Sequence, residues 1–199
     1  MEVLILCEYS GTVRDAFIKQ GHDAISCDIL PTDTEGPHHT GDCFDMLNQE
    51  WDLIIAHPPC THLAVSGNAH YGEGTKGYAK RIEAAQWTQR LWERCNQVSN
   101  KVAFENPVSV LARLTSLPKA TQYVQPYEYG HPESKKTGLW LQNLPRLEPT
   151  DVIQKPDCGY WGNQTQSGQN KLGPSLDRWK IRSKTYQGIA DAMANQWSK

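Results

Sequence analysis

The sequence predicts an α/β fold, a mostly parallel, doubly wound sheet with helices on both faces. Three observations predict it. Short apolar runs alternate with amphipathic stretches of helical length, the pattern of strand–helix–strand units. Three of the apolar runs end in polar or reactive residues, Cys7-Glu8, His57-Pro58-Pro59-Cys60 and Glu105-Asn106, as strands do at the ligand edge of an open sheet. The chain has 199 residues, and folding at that size buries roughly 70% of the unfolded surface, enough for one core.

Taken in order, EVLILC (2–7) is one charge followed by apolar residues, a buried strand. SGTVRDAFIKQG places Val13, Phe17 and Ile18 at helical spacing and closes on Gly21 as a helix stop. HDAISCDI is a second strand ending at Asp28, and after turns marked by Pro31, Gly36 and Pro37, WDLIIA (51–56) is a third. KGYAKRIEAAQWTQRLWERCNQV is the longest helix. Its Ile82, Ala85, Gln86, Leu91 and Cys95 trace one face, which Trp87 and Trp92 widen. KVAFENP then reads as a strand and VSVLARL as a short helix. Beyond Pro145 the segment PDCGYWGNQTQSGQNKLGPS is rich in Gly, Gln and Asn, so 146–180 is expected to be a loop-rich insertion. KTYQGIADAMANQW closes the chain as an amphipathic helix. A single domain over 1–199 is expected, without internal repeats or low-complexity tracts.

Charge and cysteine usage exclude several classes. A formal net charge of -2 gives no global attraction to nucleic acid or membrane, so any such binding must come from a local patch. No apolar run approaches the roughly 20 residues of a membrane span, and MEVLILCEYSG is too short and too acidic for a secretory signal. A soluble, cytoplasmic protein is expected. The six cysteines, at 7, 27, 43, 60, 95 and 158, form no CxxC pair, which argues for reduced thiols rather than disulfides or zinc. Cys7, Cys27 and Cys95 read as small core residues. His38, His39 and Cys43 match no common ligand spacing, and no metal is expected.

The stretch HPPC carries the sharpest chemical signal. Two prolines fix φ at successive residues and remove two backbone donors, so the side chain that follows is held with little freedom left. A cysteine so held at a sheet's ligand edge is placed like a nucleophile; from this fragment alone, a structural thiol after a strand fits equally well.

The ordered set of motifs resembles the DNA cytosine-5 methyltransferases, in a small bacteriophage-type form. In that family one strand ends in Pro-Cys, a later one in Glu-Asn-Val, and a further motif reads Tyr-Gly-x-Pro-Gln-x-Arg-x-Arg. This chain has Pro59-Cys60, then Glu105-Asn106-Pro107, then YGHPESKKTGLWL from Tyr129. Tyr9-Ser10-Gly11 stands where the family has its Phe-x-Gly cofactor loop, and Asp28 ends the second strand. The likeness covers roughly residues 2–141, with a weaker match of RSKTYQGIADAMANQW to the family's terminal motifs. Departures are Val13 and Arg14 in place of loop glycines, Thr61 for Gln, Pro107 for Val, and Glu133, Lys135 and Thr137 for the Gln and two Arg. About 35 residues, between Pro145 and Ile181, replace a large recognition domain.

The resemblance implies a Rossmann-like methyltransferase fold and an enzyme of a bacterial host cell's cytoplasm. It would transfer a methyl group from S-adenosylmethionine to carbon 5 of cytosine in DNA or a cytosine nucleotide. Cys60 would add to carbon 6, making carbon 5 nucleophilic. Glu105 would protonate nitrogen 3, a task for a carboxyl whose pKa is raised, and Asn106 would orient it or cap the turn. Pro59, Lys135 and Lys136 fall on the substrate side. On the cofactor side fall Tyr9, Ser10, Gly11, Pro58, Asp28 for the ribose hydroxyls and Asp42 for the adenine. Lys171, Arg178, Lys180, Arg182 and Lys184, with Tyr160 and Trp161 to stack on bases, are candidates for a strand-binding surface; a solvated cationic face is the plainer alternative. A base in duplex DNA would have to be flipped out, and a partner protein is a candidate source of target recognition. Two other readings stay open: an exocyclic-amine methyltransferase, for which HPPC lacks the flanking groups, and a catalytically silent binding module on the same fold.

Overall fold

The computed structural model describes residues 1–173 and 175–198 of the chain. Seven strands form one sheet: β1 (Glu2–Leu6), β2 (Asp23–Asp28), β3 (His38–Thr40), β4 (Leu53–Ala56), β5 (Val102–Pro107), β6 (Gln122–Val124) and β7 (Thr137–Gln142). Their order is β3-β2-β1-β4-β5-β7-β6. The first five in that order run parallel, and β7 runs antiparallel to both β5 and β6. This is the expected doubly wound α/β sheet, mostly parallel with one reversed strand.

The strands show why the sequence folds this way. In β1, Val3 and Ile5 join one apolar cluster while Leu4 and Leu6 join another, and β4 divides the same way, Leu53 and Ile55 against Ile54 and Ala56. Side chains alternate faces along a strand, so a sheet covered on both sides needs the unbroken apolar runs these segments carry. The helices are α1 (Thr12–Lys19), α2 (Asn68–Tyr71), α3 (Tyr78–Val98), α4 (Leu111–Leu114), α5 (Arg178–Ser183) and α6 (Gln187–Trp197). Residues of α1 and α6 belong to the first cluster and residues of α3 to the second.

Three expectations about faces change. On α1, Val13 and Phe17 are buried as expected, but Ile18 is 39% exposed and Arg14 is fully buried instead. Its guanidinium donates to Ser26 Oγ at 3.1 Å, Thr34 Oγ1 at 2.6 Å and the Glu35 carbonyl at 3.2 Å, tying α1 to the loop before β3. On α3 the buried stripe is Arg81, Ala85, Thr88, Leu91, Cys95 and Val98, with Gln86 exposed and Ile82 half-buried. Arg81 donates to the carbonyls of His62 at 2.7 Å and Ala64 at 3.1 Å and to Asn68 Oδ1 at 2.7 Å, so a charge that reads as surface in sequence braces the turn after Cys60. Cys7 is half-buried at φ +57°, a strand-end residue rather than a core one, whereas Cys27 and Cys95 are buried.

Gly21, at φ +83°, follows the last turn of α1 as a helix stop. The three-residue strands β3 and β6 and helix α5 carry too few apolar positions for periodicity to find. In the 146–180 segment the described residues form turns and extended stretches tied by the isolated bridges Tyr129–Asp151 and Gln164–Asn170, until α5 begins at Arg178; Pro174 lies outside the described residues. Among the described residues no helix is long and apolar enough to cross a membrane.

Candidate active site

β1, β4 and β5 lie side by side and parallel, so their carboxyl ends open on one edge. Register brings the three polar strand ends together there. His57 donates its backbone N–H to the Leu6 carbonyl at 2.9 Å, continuing the β1–β4 ladder past Ala56. Its Nδ1 lies 2.8 Å from Glu105 Oε2, with side-chain exposures of 11% and 9%. Thr185, from the strap between α5 and α6, donates its hydroxyl to the same oxygen at 3.2 Å. Asn106 Nδ2 donates to the Pro58 carbonyl at 2.9 Å. Asn106 therefore secures the HPPC turn rather than orienting Glu105. Among the described residues, its Oδ1 and His57 Nε2 are buried without a hydrogen-bond partner.

Cys60 is half-buried at the end of this turn, and its carbonyl accepts the N–H groups of Leu63 and Ala64, both at 3.0 Å. Burial pushes its thiol up, against the opposing pull of Lys135 and Arg182. The thiol is thus mainly protonated near neutral pH.

Glu105 departs from expectation. Burial alone would raise its carboxyl, but the charge and hydrogen bond of His57, then Lys135 and Thr185, hold it at about 2. Correspondingly His57 is raised: burial disfavours its charge, and Glu105, with a smaller contribution from Glu8, outweighs that. The expectation of a raised Glu105 pKa is overturned because an imidazole occupies the space that an apolar wall would need to occupy. Both shifts favour the proton on His57.

The sign of the pair's effect on stability follows from linkage. The raised His57 stabilises fully below its ordinary 6.5 and loses that as pH climbs through its folded value. The lowered Glu105 stabilises above its ordinary 4.5 and loses that as pH falls toward about 2. The coupling energy of His57 and Glu105, measured by a double-mutant cycle with His57→Gln and Glu105→Gln in urea, should therefore peak between those two ordinary values and shrink on either side. A coupling that grows from pH 7 to pH 9 would contradict the ion pair.

The other candidates divide. Lys135 joins the site: its charge acts on Cys60, Glu105 and His57, and its Nζ donates to the Lys184 carbonyl at 3.2 Å. Lys136 does not join it, lying 4.6 Å over the ring of Tyr123 on edge strand β6. Pro58 is buried and Pro59 exposed. Asp28, half-buried at the end of β2, spends one oxygen on the Leu30 N–H at 2.9 Å, and burial raises its carboxyl. Asp42 is exposed and caps the short turn that follows it through the Phe44 N–H at 3.0 Å.

The Tyr9-Ser10-Gly11 loop is closed from two sides. Glu8, 4% exposed, accepts the N–H groups of Val13 at 2.7 Å and Arg14 at 3.2 Å and the Ser10 hydroxyl at 3.3 Å. These are the free donors of the first turn of α1, so Gly11, despite its φ of +72°, does not leave them open to an incoming carboxylate. A Cβ on Gly11 would lie 2.2 Å from Thr34 Oγ1. Tyr9 is buried and donates to the Lys180 carbonyl at 2.6 Å, and Asp33 pairs with Lys180 at 3.0 Å and Lys184 at 2.7 Å. The strap 183–185 thereby seals a cavity of about 20 Å³ lined by residues 7–10, His57 and the strap itself.

The basic cluster is reduced accordingly, since Lys180 and Lys184 are paired and Lys171 sits 5.4 Å over Tyr160. Trp161 is 4% exposed and stacked on Tyr127 at 4.7 Å, a packing residue rather than a base platform.

No protein-family model matches the chain, and no curated protein sequence does. Among solved structures it is similar to a candidate DNA modification methyltransferase encoded within an E. coli prophage, with 14% identity, TM-score 0.48, and 77% of this chain and 52% of that one covered. It is also similar to a methyltransferase of Entamoeba histolytica, with 13% identity, TM-score 0.49, and 77% and 57% covered. A third is the bifunctional kinase-methyltransferase WbdD, with 14% identity, TM-score 0.40, and 73% and 38% covered. The chain spans between about a third and just over half the length of the structures it resembles.

Proposed function

We propose that the protein transfers a methyl group from S-adenosylmethionine to carbon 5 of cytosine, in DNA or a cytosine nucleotide, with Cys60 as the nucleophile. The observation that supports this reading best is the convergence on one sheet edge of a thiol on a Pro-Pro turn, the Glu105 carboxylate, Asn106 bracing that turn, and the Lys135 ammonium whose charge favours the thiolate.

S-adenosylmethionine supplies an electrophilic methyl group. The residues present fit it at one end: the half-buried carboxylate of Asp28 at the end of β2 would accept the ribose hydroxyls. At the other end they do not yet make room. Small-molecule sites offer roughly 300–1,000 Å³ against the cavity of about 20 Å³ beside Tyr9 and Ser10. Loading would require the strap 183–185 to swing off Asp33 and Tyr9. The exposed ion pairs to Asp33 are weak, so the hydrogen bonds of Thr185 to Glu105 and of Tyr9 to the Lys180 carbonyl are the main contacts to be broken.

Cys60 then forms the covalent adduct, Glu105 with its partners manages the proton at nitrogen 3, and Lys135 offsets charge on the base or a phosphate. Target recognition is short or is supplied by a partner protein, because base readout needs several side chains placed in a groove and the 146–180 segment is only about 35 residues long. Mass analysis of nucleosides from DNA of bacterial cells expressing the chain, wild type against Cys60→Ala, tests the reading. 5-Methylcytosine in the first sample only is the expected result. N4-methylcytosine surviving in the second would move the assignment to amine methylation.

A further inference from the structure

We infer that His57 is the proton-holding residue of the site: its imidazolium, bonded through Nδ1 to Glu105 Oε2 at 2.8 Å, stores the proton that cytosine nitrogen 3 takes when Cys60 adds to carbon 6. The inference rests on the cytosine-5 reading and gives it a device that the sequence pattern, which assigns the proton to Glu105, does not contain.

Geometry carries the argument. The two side chains are almost fully buried, so their shared proton is not exchanged freely with bulk water. The pair is held from the sheet edge: the His57 N–H is locked to the Leu6 carbonyl and Asn106 grips the next residue's carbonyl. Among the described residues His57 Nε2 has no hydrogen-bond acceptor, which works against the cation and makes its proton easier to give up. The charged groups that face His57 are Glu105 from β5, Glu8 from the loop after β1, Asp28 from the end of β2 and Lys135 from the segment before β7. Three are acidic and one basic, which favours the cation, and Glu8 contributes least when its own carboxyl, raised by burial, is protonated.

The step balances. The Cys60 thiol first loses its proton to water. The sulfur–carbon 6 bond forms as the carbon 5–carbon 6 π pair shifts toward nitrogen 3, and nitrogen 3 takes the proton that the pair shared, passing through the Glu105 carboxyl and leaving His57 neutral. Once carbon 5 has gained the methyl group from the donor's sulfonium, which would depart as a neutral thioether, carbon 5 loses its hydrogen to water, the sulfur–carbon 6 bond breaks to release the thiolate, and the nitrogen 3 proton returns to His57. Because His57 acts through Glu105, it is a positioning residue.

The test is the pH profile of adduct formation with a 5-fluorocytosine oligonucleotide. In wild type the rate should climb with the thiolate fraction and then level off where His57 begins to lose its proton, since each further gain in thiolate is offset by a loss of imidazolium. In His57→Gln, which keeps a hydrogen bond to Glu105 but stores no proton, the rate should drop by about 10²-fold and go on climbing through that pH without a plateau. Alkylation of Cys60 by iodoacetamide should stay near wild type in the same variant. A His57→Gln enzyme with the wild-type rate and plateau overturns the inference and leaves the cytosine-5 reading standing. A wild-type protein that modifies no cytosine substrate overturns both. Should His57→Gln fail to fold, ¹⁵N resonances of the wild-type imidazole decide: both nitrogens protonated at pH 7 supports the stored proton, and a neutral ring at pH 6.5 overturns it.

Discussion

Cys60→Ser should yield no trapped adduct at all with a 5-fluorocytosine oligonucleotide and methyl donor, where the wild type gives a covalent band that survives denaturation. Fluorine at carbon 5 cannot leave as a proton does, so the sulfur–carbon 6 bond persists once made. The serine hydroxyl ionises so much less readily than a thiol that nucleophilic addition near neutral pH falls by many orders of magnitude. The thiol is itself raised by burial, with Lys135 and Arg182 working against that; Lys135→Gln should therefore slow trapping at pH 7 and recover part of the loss at pH 9. Glu105→Gln should slow trapping as well, because it removes the partner that keeps His57 charged. If Cys60→Ala retains modification of cytosine, the thiol is structural, and the prolines before it serve the sheet edge rather than a nucleophile.

The fold was legible where burial is two-sided. EVLIL and LIIA are apolar without interruption because both faces of β1 and β4 are covered, and no polar periodicity competes with that signal. It was less legible in α1 and α3, where arginines are core residues. Arg14 and Arg81 are buried only because loops fold back to offer them carbonyl and hydroxyl acceptors, a tertiary circumstance that helical spacing does not encode. Helical spacing alone put Gln86 and Ile18 on the buried faces, where the structure has Arg81 and Arg14.

At the site, the motifs located the ends of β1, β4 and β5 but not the contacts between them. His57 was visible in HPPC and Glu8 in the strand-end pair Cys7-Glu8, yet each acts through a partner far away in sequence: Glu105 for His57, and the first turn of α1 for Glu8. A carboxyl at a sheet edge can be raised by burial or lowered by a cation, and which effect wins depends on who is next to it. Thr185 had no sequence signal, because its role exists only once the strap lies over the edge.

Gly188→Ala should cost about 1–3 kcal/mol of stability, read as a lowered urea midpoint with unchanged slope. Alanine is the better helix former by roughly 1 kcal/mol, so helix propensity alone gives the opposite sign and the experiment separates the two effects. A Cβ at position 188, in the first turn of α6, would lie 1.9 Å from the Tyr129 carbonyl oxygen and 2.9 Å from its carbon. Both sides of this collision are backbone, and neither yields readily. Tyr129 is 2% exposed, with its N–H on the Pro126 carbonyl at 3.0 Å and its hydroxyl on the Leu147 carbonyl at 3.1 Å. The Gly188 N–H is itself held by His131 Nε2 at 3.0 Å, and the following Ile189, Ala190, Met193, Ala194 and Trp197 are all buried in the cluster shared with α1. Relief therefore requires α6 to lift from the sheet, or residues 129–131 to move and carry Lys135 with them. Gly162→Ala, where a Cβ meets open space, is the control and should stay within about 0.5 kcal/mol of wild type. A Gly188→Ala protein as stable as wild type would mean that α6 is not seated on the Tyr129 carbonyl, and that the strap carrying Thr185 is anchored less tightly than the hydrogen bond to Glu105 requires.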